Sequence, residues 1–228
     1  GTRFKPWTDK HPKALAVIAG KTLLQRNVEY LQQYDITNVV VNVHHFADQI
    51  VDAVEASNGW GSSVIISDEK NEVLETGGGL VKAQKLLASK TFLTINVDIL
   101  TDLNLHELLA THHQSEALMT LAVTDRKTSR YLLFDKNNRL CGWRNTTTGE
   151  EKIALPANEL IEKAYSGIAV FEPQIFELIT HTGKFSLIDV YLSLAANHTI
   201  MAFDHSGGRL LDVGKPESVA VAEKMFPQ

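Results

Sequence analysis

Residues 74–83 read LETGGGLVKA, and three consecutive glycines stand where a strand-like pattern gives way to a helical one. Glycine weakens a helix and loses more conformational entropy on folding than other residues. A triple glycine therefore needs a physical reason. Either the chain makes a tight strand-to-helix turn there, or a ligand lies against bare backbone beside a helix N-terminus. The motif by itself leaves both interpretations open.

Strand-like and helical segments alternate on both sides of the glycines. Runs of β-branched and apolar residues predict strands, and apolar residues at helical spacing predict helices. The predicted strands cover 37–43, 63–67, 91–98 and 117–125, and the predicted helices cover 46–57, 79–89 and 105–113. This alternation predicts an α/β fold with a Rossmann-like mixed, mainly parallel sheet flanked by helices.

The alternation of strand-like and helical segments ends near residue 130. Residues 131–145 predict two strands joined by a turn at 136–138, and the polar segment 146–152 predicts an exposed loop. The remaining predictions are strands at 165–171, 199–205 and 209–214, and helices near 173–181, 186–196 and 216–226. Because no repeat or linker interrupts the chain, we expect a single domain over 1–228.

The bulk composition is that of an ordinary globular protein, with 44% hydrophobic and 21% charged residues. A net charge of −5 argues against a nucleic-acid-binding surface. No apolar run approaches the roughly 20 residues that span a membrane. The single cysteine, Cys141, excludes an internal disulfide framework and suits a cytoplasmic location. Neither nucleic acid nor a membrane is therefore expected as a partner.

Two aspartates stand at the predicted ends of strands that are far apart in the chain. Asp98 ends TFLTINVD, and Asp212 lies in RLLDVG. The carboxyl ends of strands line the ligand crevice of open α/β sheets, and paired carboxylates suit Mg²⁺ bound to substrate phosphates. Each aspartate taken singly is better explained as a residue that caps a turn, since Asp at the end of a strand often does so.

The N-terminal stretch GTRFKPWTDKHPKAL is locally basic. Arg3, Lys5, Lys10, His11 and Lys13 lie in a Gly- and Pro-containing segment ahead of a helix predicted near Thr22. The guanidinium of arginine can bind two phosphate oxygens at once, and the ammonium of lysine binds them as a single positive charge. This segment is therefore a candidate phosphate-binding loop. A solvated basic loop is the alternative.

The order and spacing of GTR, PKAL, LETGGG, NVD and DVG resemble the sugar-1-phosphate nucleotidyltransferases over nearly the whole chain. The resemblance is to their short single-domain branch, which includes N-acetylmuramate-1-phosphate uridylyltransferases and mannose-1-phosphate guanylyltransferases. It implies the nucleotide-diphospho-sugar transferase type of fold. It also implies that the first strand and most of a glycine-rich loop lie upstream of residue 1.

The resemblance implies a role for each matching residue. Arg3 and Lys13 would contact the triphosphate as catalytic cations, and Asp98 and Asp212 would bind Mg²⁺. The implied nucleotide-binding residues are Gly1, Thr2, Asp68, Glu69, Gly77 and Gly78. The implied substrate-binding residues are Glu75, Asn96, Ser166 and Gly167. The chain departs from the family at GWRN, where many relatives carry a Glu-Lys pair, and Arg144 would there replace the lysine as a substrate-binding cation. The pair Glu162-Lys163 competes with Arg144 as the source of a cation near the sugar phosphate.

The activity that this resemblance implies is transfer of NMP from an NTP to a sugar 1-phosphate, with release of pyrophosphate. UTP with N-acetylmuramate 1-phosphate and GTP with mannose 1-phosphate are the expected pairs, in a monomer or small homo-oligomer. One alternative is a non-catalytic nucleotide- or sugar-binding homologue. Another is nucleotidyl transfer to a non-sugar phosphate such as phosphocholine.

Overall fold

The computed structural model describes residues 4–70 and 73–227. Its strands are β1 Val17–Ile18, β2 Lys21–Thr22, β3 Asn38–Val43, β4 Ser63–Asp68, β5 Phe92–Ile95, β6 Ile99–Thr101, β7 Met119–Thr124, β8 Arg130–Phe134, β9 Leu140–Asn145, β10 Glu151–Ile153, β11 Ile161–Phe171, β12 Ile200–Asp204 and β13 Leu210–Asp212. Its helices are α1 Leu23–Gln32, α2 Ala47–Ala56, α3 Glu75–Lys82, α4 Gln84–Leu87, α5 Leu105–Ser115, α6 Ile175–Leu178, α7 Leu187–Ala195 and α8 Ser218–Met225.

The chain forms two compact units. The first unit comprises 1–73, 96–103 and 209–228, and the second comprises 74–95 and 104–208. None of the helices in the described part of the chain has the length and apolar content needed to cross a bilayer.

The first unit is built on a parallel pair of strands, β3 and β4, and on an antiparallel ribbon formed by β6 and β13. Helix α1 begins where the hydroxyl of Thr22 accepts a hydrogen bond from the Gln25 N–H at 3.1 Å, which is a standard N-cap. Its apolar face buries Leu24 and Val28 against Val43 of β3 and Ile50 of α2. This burial holds α1 and α2 on the strand pair.

The second unit contains a seven-stranded sheet with the order β10-β9-β8-β11-β7-β12, and β5 also pairs with β11. Strand β11 is long enough to pair with β5, β7 and β8 along different parts of its length. Its fully buried Phe171 packs in one core with Met119, Leu121 and Tyr191. The β11 strand is thus the centre of this unit.

The expected mixed sheet flanked by helices is confirmed. Parallel pairing is less frequent than expected: only β3–β4 and β7–β12 are parallel among the described pairs. The reason is that β11 runs antiparallel to all three of its neighbours, and β8 and β9 form a hairpin.

Several boundaries differ from the predictions; for example, the strand expected at 165–171 begins at Ile161. The helix expected at 79–89 begins earlier, at Glu75, and is interrupted at Ala83 between α3 and α4. The strand expected over 91–98 ends at Ile95, because residues 96–98 form a turn closed by the Ile99 N–H and the Asn96 carbonyl at 3.0 Å. The loop expected at 146–152 is partly strand β10, which pairs with β9.

Candidate functional site

The two predicted metal ligands lie on neighbouring positions of the first unit. Strands β6 and β13 pair so that Asp212 stands opposite Ile99, the residue after Asp98. The Val213 N–H donates to the main-chain carbonyl of Asp98 at 2.8 Å. An antiparallel ribbon therefore brings together the main chain at two aspartates that are distant in sequence. Asp98 lies in the turn before β6 and not on the end of a strand.

The carboxylate of Asp212 has an unusual environment. Its Oδ1 atom is buried and has no hydrogen-bond partner among the described residues. A buried carboxylate oxygen without a partner is costly, so this atom needs a cation or a donor. On the other aspartate, the Lys13 ammonium contacts Oδ2 of Asp98 in an ion pair whose side chains are 15% and 25% exposed.

This donor set fits a divalent cation. Two carboxylates on one ribbon supply hard oxygen ligands, and Mg²⁺ commonly takes one or two carboxylates and completes its shell with water and substrate phosphates. The unpartnered Oδ1 of Asp212 is the observation that supports this fit. No group of three or more His, Cys, Asp or Glu side chains with ligating geometry occurs within 4–70 and 73–227, so an all-protein metal cage is not formed there.

Local structure explains how Lys13 reaches Asp98. Pro12 is extended and precedes a single 3-10 turn, Lys13–Leu15, whose Ala14 is buried. The Lys13 ammonium also lies 5.9 Å from the centre of the Phe4 ring, a cation–π distance. The prediction for Arg3, Gly1 and Thr2 falls outside the described residues.

Two side chains fasten the basic loop to helix α2. The Gln49 amide donates to the Lys10 carbonyl at 2.9 Å, and its oxygen lies 3.1 Å from Nδ1 of His11. The Trp7 and His11 rings are 4.6 Å apart. Sequence reasoning missed Gln49, because nothing in its own neighbourhood indicates a contact with a loop almost 40 positions away.

Asp68 and Glu69, which were predicted to bind the nucleotide, lie at the end of β4. Asp68 is exposed and accepts a hydrogen bond from the Lys70 N–H at 2.8 Å. Glu69 is buried at 6% exposure, and its main-chain carbonyl accepts a hydrogen bond from Nδ1 of His44 at 2.7 Å. Asn96 is exposed in the turn before β6. His44 was not predicted as part of this region; its position directly after β3 was the available signal.

In the second unit, the glycines lie inside the first turns of α3 and are buried. The N–H groups of Gly77 and Gly78 both donate to the Phe185 carbonyl, at 2.9 and 3.4 Å. Contrary to our expectation that they would face a ligand, these groups are already paired within the protein. The nucleotide-binding role of Gly77 and Gly78 stays a prediction.

Glu75 begins α3 in a left-handed conformation, with φ of 59°. Its carboxylate lies 3.4 Å from the Lys184 ammonium, and both side chains are about half exposed, at 47% and 57%. A side chain with positive φ is strained, and such strain is often found at functional positions. The geometry is compatible with a substrate-facing Glu75.

The two candidate cations of this unit are both bound by carboxylates. Arg144 on β9 bonds Glu151 at 2.6 Å and Glu162 at 2.5 Å, and these two carboxylates raise the pKa of its guanidinium. Lys163 on β11 bonds Asp125 and Asp204, each at 2.5 Å. The Arg144 side chain is 36% exposed, whereas the Lys163 side chain is 16% exposed.

Ser166 and Gly167 lie at an irregularity in β11. Between Tyr165 and Ala169 the register with β7 shifts, and Gly167 has φ of 76°, which favours glycine. Ser166 is fully buried, and its hydroxyl lies 2.8 Å from Nε2 of His205. The structure thus holds Ser166 next to His205, which the sequence did not indicate.

The fold is an α/β fold with a mixed sheet flanked by helices, and its first unit holds a Lys13–Asp98 ion pair beside the main chain of Asp212. The sequence profile of the Nucleotidyl transferase family matches residues 1–227. The chain therefore belongs to the nucleotidyl transferase family.

Relatives of known activity span most of the chain. An N-acetylmuramate alpha-1-phosphate uridylyltransferase of Caulobacter vibrioides is 28% identical, covering 98% of this chain and 91% of the relative. The mannose-1-phosphate guanylyltransferase catalytic subunit beta of Drosophila pseudoobscura pseudoobscura is 26% identical, covering 95% of this chain and 57% of the relative.

A solved structure also shares this fold. The crystal structure of HddC from Yersinia pseudotuberculosis complexed with GMP-PN matches with a TM-score of 0.78 and 24% identity, covering 99% of this chain and 95% of that chain. This similarity supports the nucleotide-diphospho-sugar transferase type of fold.

Proposed function

We propose that this protein transfers NMP from an NTP to a sugar 1-phosphate, forming an NDP-sugar and pyrophosphate. The observation that carries the proposal is the Lys13–Asp98 ion pair beside Asp212, whose buried Oδ1 has no partner among the described residues. Two relatives named for this type of reaction support it, one a uridylyltransferase and one a guanylyltransferase. The same comparisons do not favour a binding module without catalysis.

The chemistry requires positioning and charge neutralisation more than proton transfer. An ionised oxygen of the sugar 1-phosphate attacks the α-phosphorus of the NTP, the bond from that phosphorus to the α–β bridging oxygen breaks, and pyrophosphate leaves. Because the attacking phosphate is already ionised near neutral pH, no general base is needed. Enzymes accelerate such transfers mainly by electrostatic stabilisation and alignment.

The first unit holds the groups proposed for the triphosphate. Asp98 and Asp212 would hold Mg²⁺, which supplies positive charge to phosphate oxygens when it is bound. Lys13 would neutralise charge that develops on the α-phosphate, with Arg3 in the same role. Gly1 and Thr2 belong to the same proposed phosphate loop. Its attachment through Gln49 fixes the path of the chain just before Lys13.

The other proposed contacts complete the assignment. Asp68 and Glu69 are proposed to read the base, and Asn96, Glu75, Ser166 and Gly167 to contact the substrate. For the sugar phosphate we propose Arg144 rather than Lys163, because the Arg144 side chain is the more exposed of the two. Arg144 would have to exchange one of its two carboxylate partners for the phosphate.

The substrate pair is proposed from the two relatives as UTP with N-acetylmuramate 1-phosphate or GTP with mannose 1-phosphate. The test is Mg²⁺-dependent pyrophosphate release from the full-length protein. Four NTPs are crossed with the 1-phosphates of mannose, glucose, N-acetylglucosamine and N-acetylmuramate. We expect one strongly preferred pair. Folded protein that binds a nucleotide but releases no pyrophosphate with any pair would contradict the proposal.

A further inference from the structure

A segment that leads into helix α7 packs against the first turn of α3, and the two exchange main-chain hydrogen bonds. We define this segment, residues 183–187, as the latch. The Gly77 N–H donates to the Phe185 carbonyl at 2.9 Å, and the Phe185 N–H donates to the Leu74 carbonyl at 3.2 Å. The Leu187 N–H donates to the Thr76 hydroxyl at 3.0 Å. The latch therefore bonds the chain on both sides of Glu75.

Packing between the latch and α3 explains two of the three glycines. A Cβ at Gly77 would lie 2.4 Å from the Phe185 ring and 2.9 Å from its carbonyl oxygen. A Cβ at Gly78 would lie 2.3 Å from the Gly183 carbonyl oxygen. Both distances to the latch are shorter than any side chain tolerates, so the bare backbone is required by the protein's own chain.

Phe185 anchors the latch in the interior. Its side chain is 8% exposed and packs in the same core as Leu80 of α3 and Val190 and Tyr191 of α7. Residues 182–184 are exposed, and the Phe185 ring stacks on His181 at 5.2 Å between centres. The latch is thus an exposed turn attached to the core by one aromatic side chain.

We propose that the latch positions Glu75 for the sugar phosphate, with Phe185 as the positioning residue. Glu75 holds a positive φ of 59°, and a strained residue keeps such a conformation only where its surroundings impose it. The hydrogen bonds between the latch and Leu74, Thr76 and Gly77 impose this conformation on Glu75. The inference rests on the proposed function, because the role of Glu75 as a substrate-facing group comes from there.

The ion pair between Lys184 and Glu75 does not hold this arrangement. Both side chains are about half exposed, and exposed pairs of this kind contribute little because water and salt screen them. Lys184 therefore provides a matched control. Lys184→Ala removes a charged side chain from the latch and leaves its main-chain bonds and its aromatic anchor in place.

The kinetic test compares Phe185→Ala, Phe185→Leu and Lys184→Ala in the full-length protein. We expect Phe185→Ala to raise the KM for the preferred sugar 1-phosphate by about 10-fold and to leave the KM for the NTP unchanged. Phe185→Leu keeps an apolar side chain in the core, so its KM for the sugar 1-phosphate should stay close to that of the wild type. Lys184→Ala should change either KM by less than about 2-fold.

Two outcomes would overturn the positioning role. One is an unchanged sugar-phosphate KM in Phe185→Ala. The other is an equal rise in both KM values, because such a rise is not specific to the sugar phosphate. If the wild-type protein releases no pyrophosphate with any substrate pair, the proposed function fails, and the positioning role fails with it. The packing of the latch is then still decided by a measurement that needs no turnover.

That measurement is a double-mutant cycle on thermal stability. Because Phe185→Ala removes the ring that a Cβ at position 77 would meet, Gly77→Ala should cost less in that background than in the wild type. Gly78→Ala meets a main-chain oxygen that Phe185→Ala leaves in place, so that pair should be additive. If the Gly77→Ala and Phe185→Ala effects are also additive, the contact between the Phe185 ring and position 77 is contradicted.

Discussion

At the scale of single residues, the surroundings of Asp98 and Asp212 bear on two interpretations of these side chains, as turn caps or as metal ligands. An aspartate that only caps a turn would have donors for its carboxylate oxygens. Asp212 instead keeps a buried Oδ1 with no partner in the described part of the chain. Asp98 is neutralised by Lys13. These environments support the proposed role of both aspartates as Mg²⁺ ligands.

We predict that Asp98→Asn and Asp212→Asn each lower turnover by about 100-fold or more while the protein remains folded. An amide keeps the shape and removes the charge that a divalent cation needs. Turnover at saturating Mg²⁺ and the thermal unfolding midpoint are the measurements. Asp102→Asn is the matched control, because Asp102 directly follows β6 and its carboxylate accepts a hydrogen bond from Nε of Arg209 at 2.9 Å. A near-normal rate in either test variant would refute the metal assignment.

A second prediction at the scale of single residues concerns the positive charge of Lys13. Lys13→Ala should lower turnover by about 100-fold, because the variant loses a positioned positive charge beside the α-phosphate. Lys21→Ala removes a lysine whose ammonium pairs with Glu29 at 2.7 Å in the same unit, and it should retain most of the activity. The comparison is made on kcat with both substrates saturating. Equal kcat values in the two variants would contradict a role of Lys13 in neutralising charge on the α-phosphate.

At the scale of elements, a buried histidine joins a helix to three strand ends in the second unit. His112 on α5 is 1% exposed, and its Nδ1 lies 2.8 Å from the Thr120 hydroxyl on β7. Its Nε2 lies 3.0 Å from the Glu172 carboxylate after β11, which also accepts from Thr91 ahead of β5 at 2.8 Å. Burial lowers the pKa of His112, although the nearby Glu172 acts in the opposite direction.

This pKa shift predicts a stability change with a definite sign. The unfolded chain binds a proton at His112 near pH 6.5, whereas the folded chain resists protonation until lower pH. The stabilising contribution is therefore complete above about pH 6.5 and is lost as the pH falls below that value. The slope that one such group adds is at most about 1.4 kcal/mol per pH unit.

The measurement is the denaturant unfolding free energy between pH 5 and pH 7.5. His112→Gln should flatten this dependence, even though it lowers stability at every pH. His113→Gln is the control, because the neighbouring His113 is exposed. An unchanged slope in His112→Gln would show that other groups produce the pH dependence.

At the scale of the whole molecule, β3 raises the question of what covers its outer edge. Among the described residues it pairs only with β4, in parallel. Strands of parallel sheets are normally buried on both faces. Here Val40 and Val41 of β3 are only half-buried, and Ile65 of β4 is 46% exposed. We propose that a strand upstream of residue 1 completes this sheet within a single domain.

The prediction is slower hydrogen exchange at those β3 amides that do not bond β4, in the full-length protein compared with residues 1–228. A strand added at the outer edge would accept hydrogen bonds from them. The amides of β9, which already lies between two strands, serve as the internal control. Identical exchange of the β3 amides in both chains would contradict the added strand.

The sequence by itself determined the α/β class, most element positions and the ordered set of motifs that includes Asp98 and Asp212. These features depend on local periodicity and on spacing along the chain, which one sequence displays directly. It could not determine that β11 runs antiparallel to three neighbours, since pairing direction depends on contacts between distant segments.

Only the tertiary structure decided which distant residues meet. It brought Lys13 to Asp98, which are 85 positions apart, and Gln49 to the basic loop. It also placed Phe185 against Gly77, so that two of the glycines are explained by the protein's own packing. The physical reason is that steric exclusion and ion pairs depend on distances in space, which the spacing of residues along the chain does not specify.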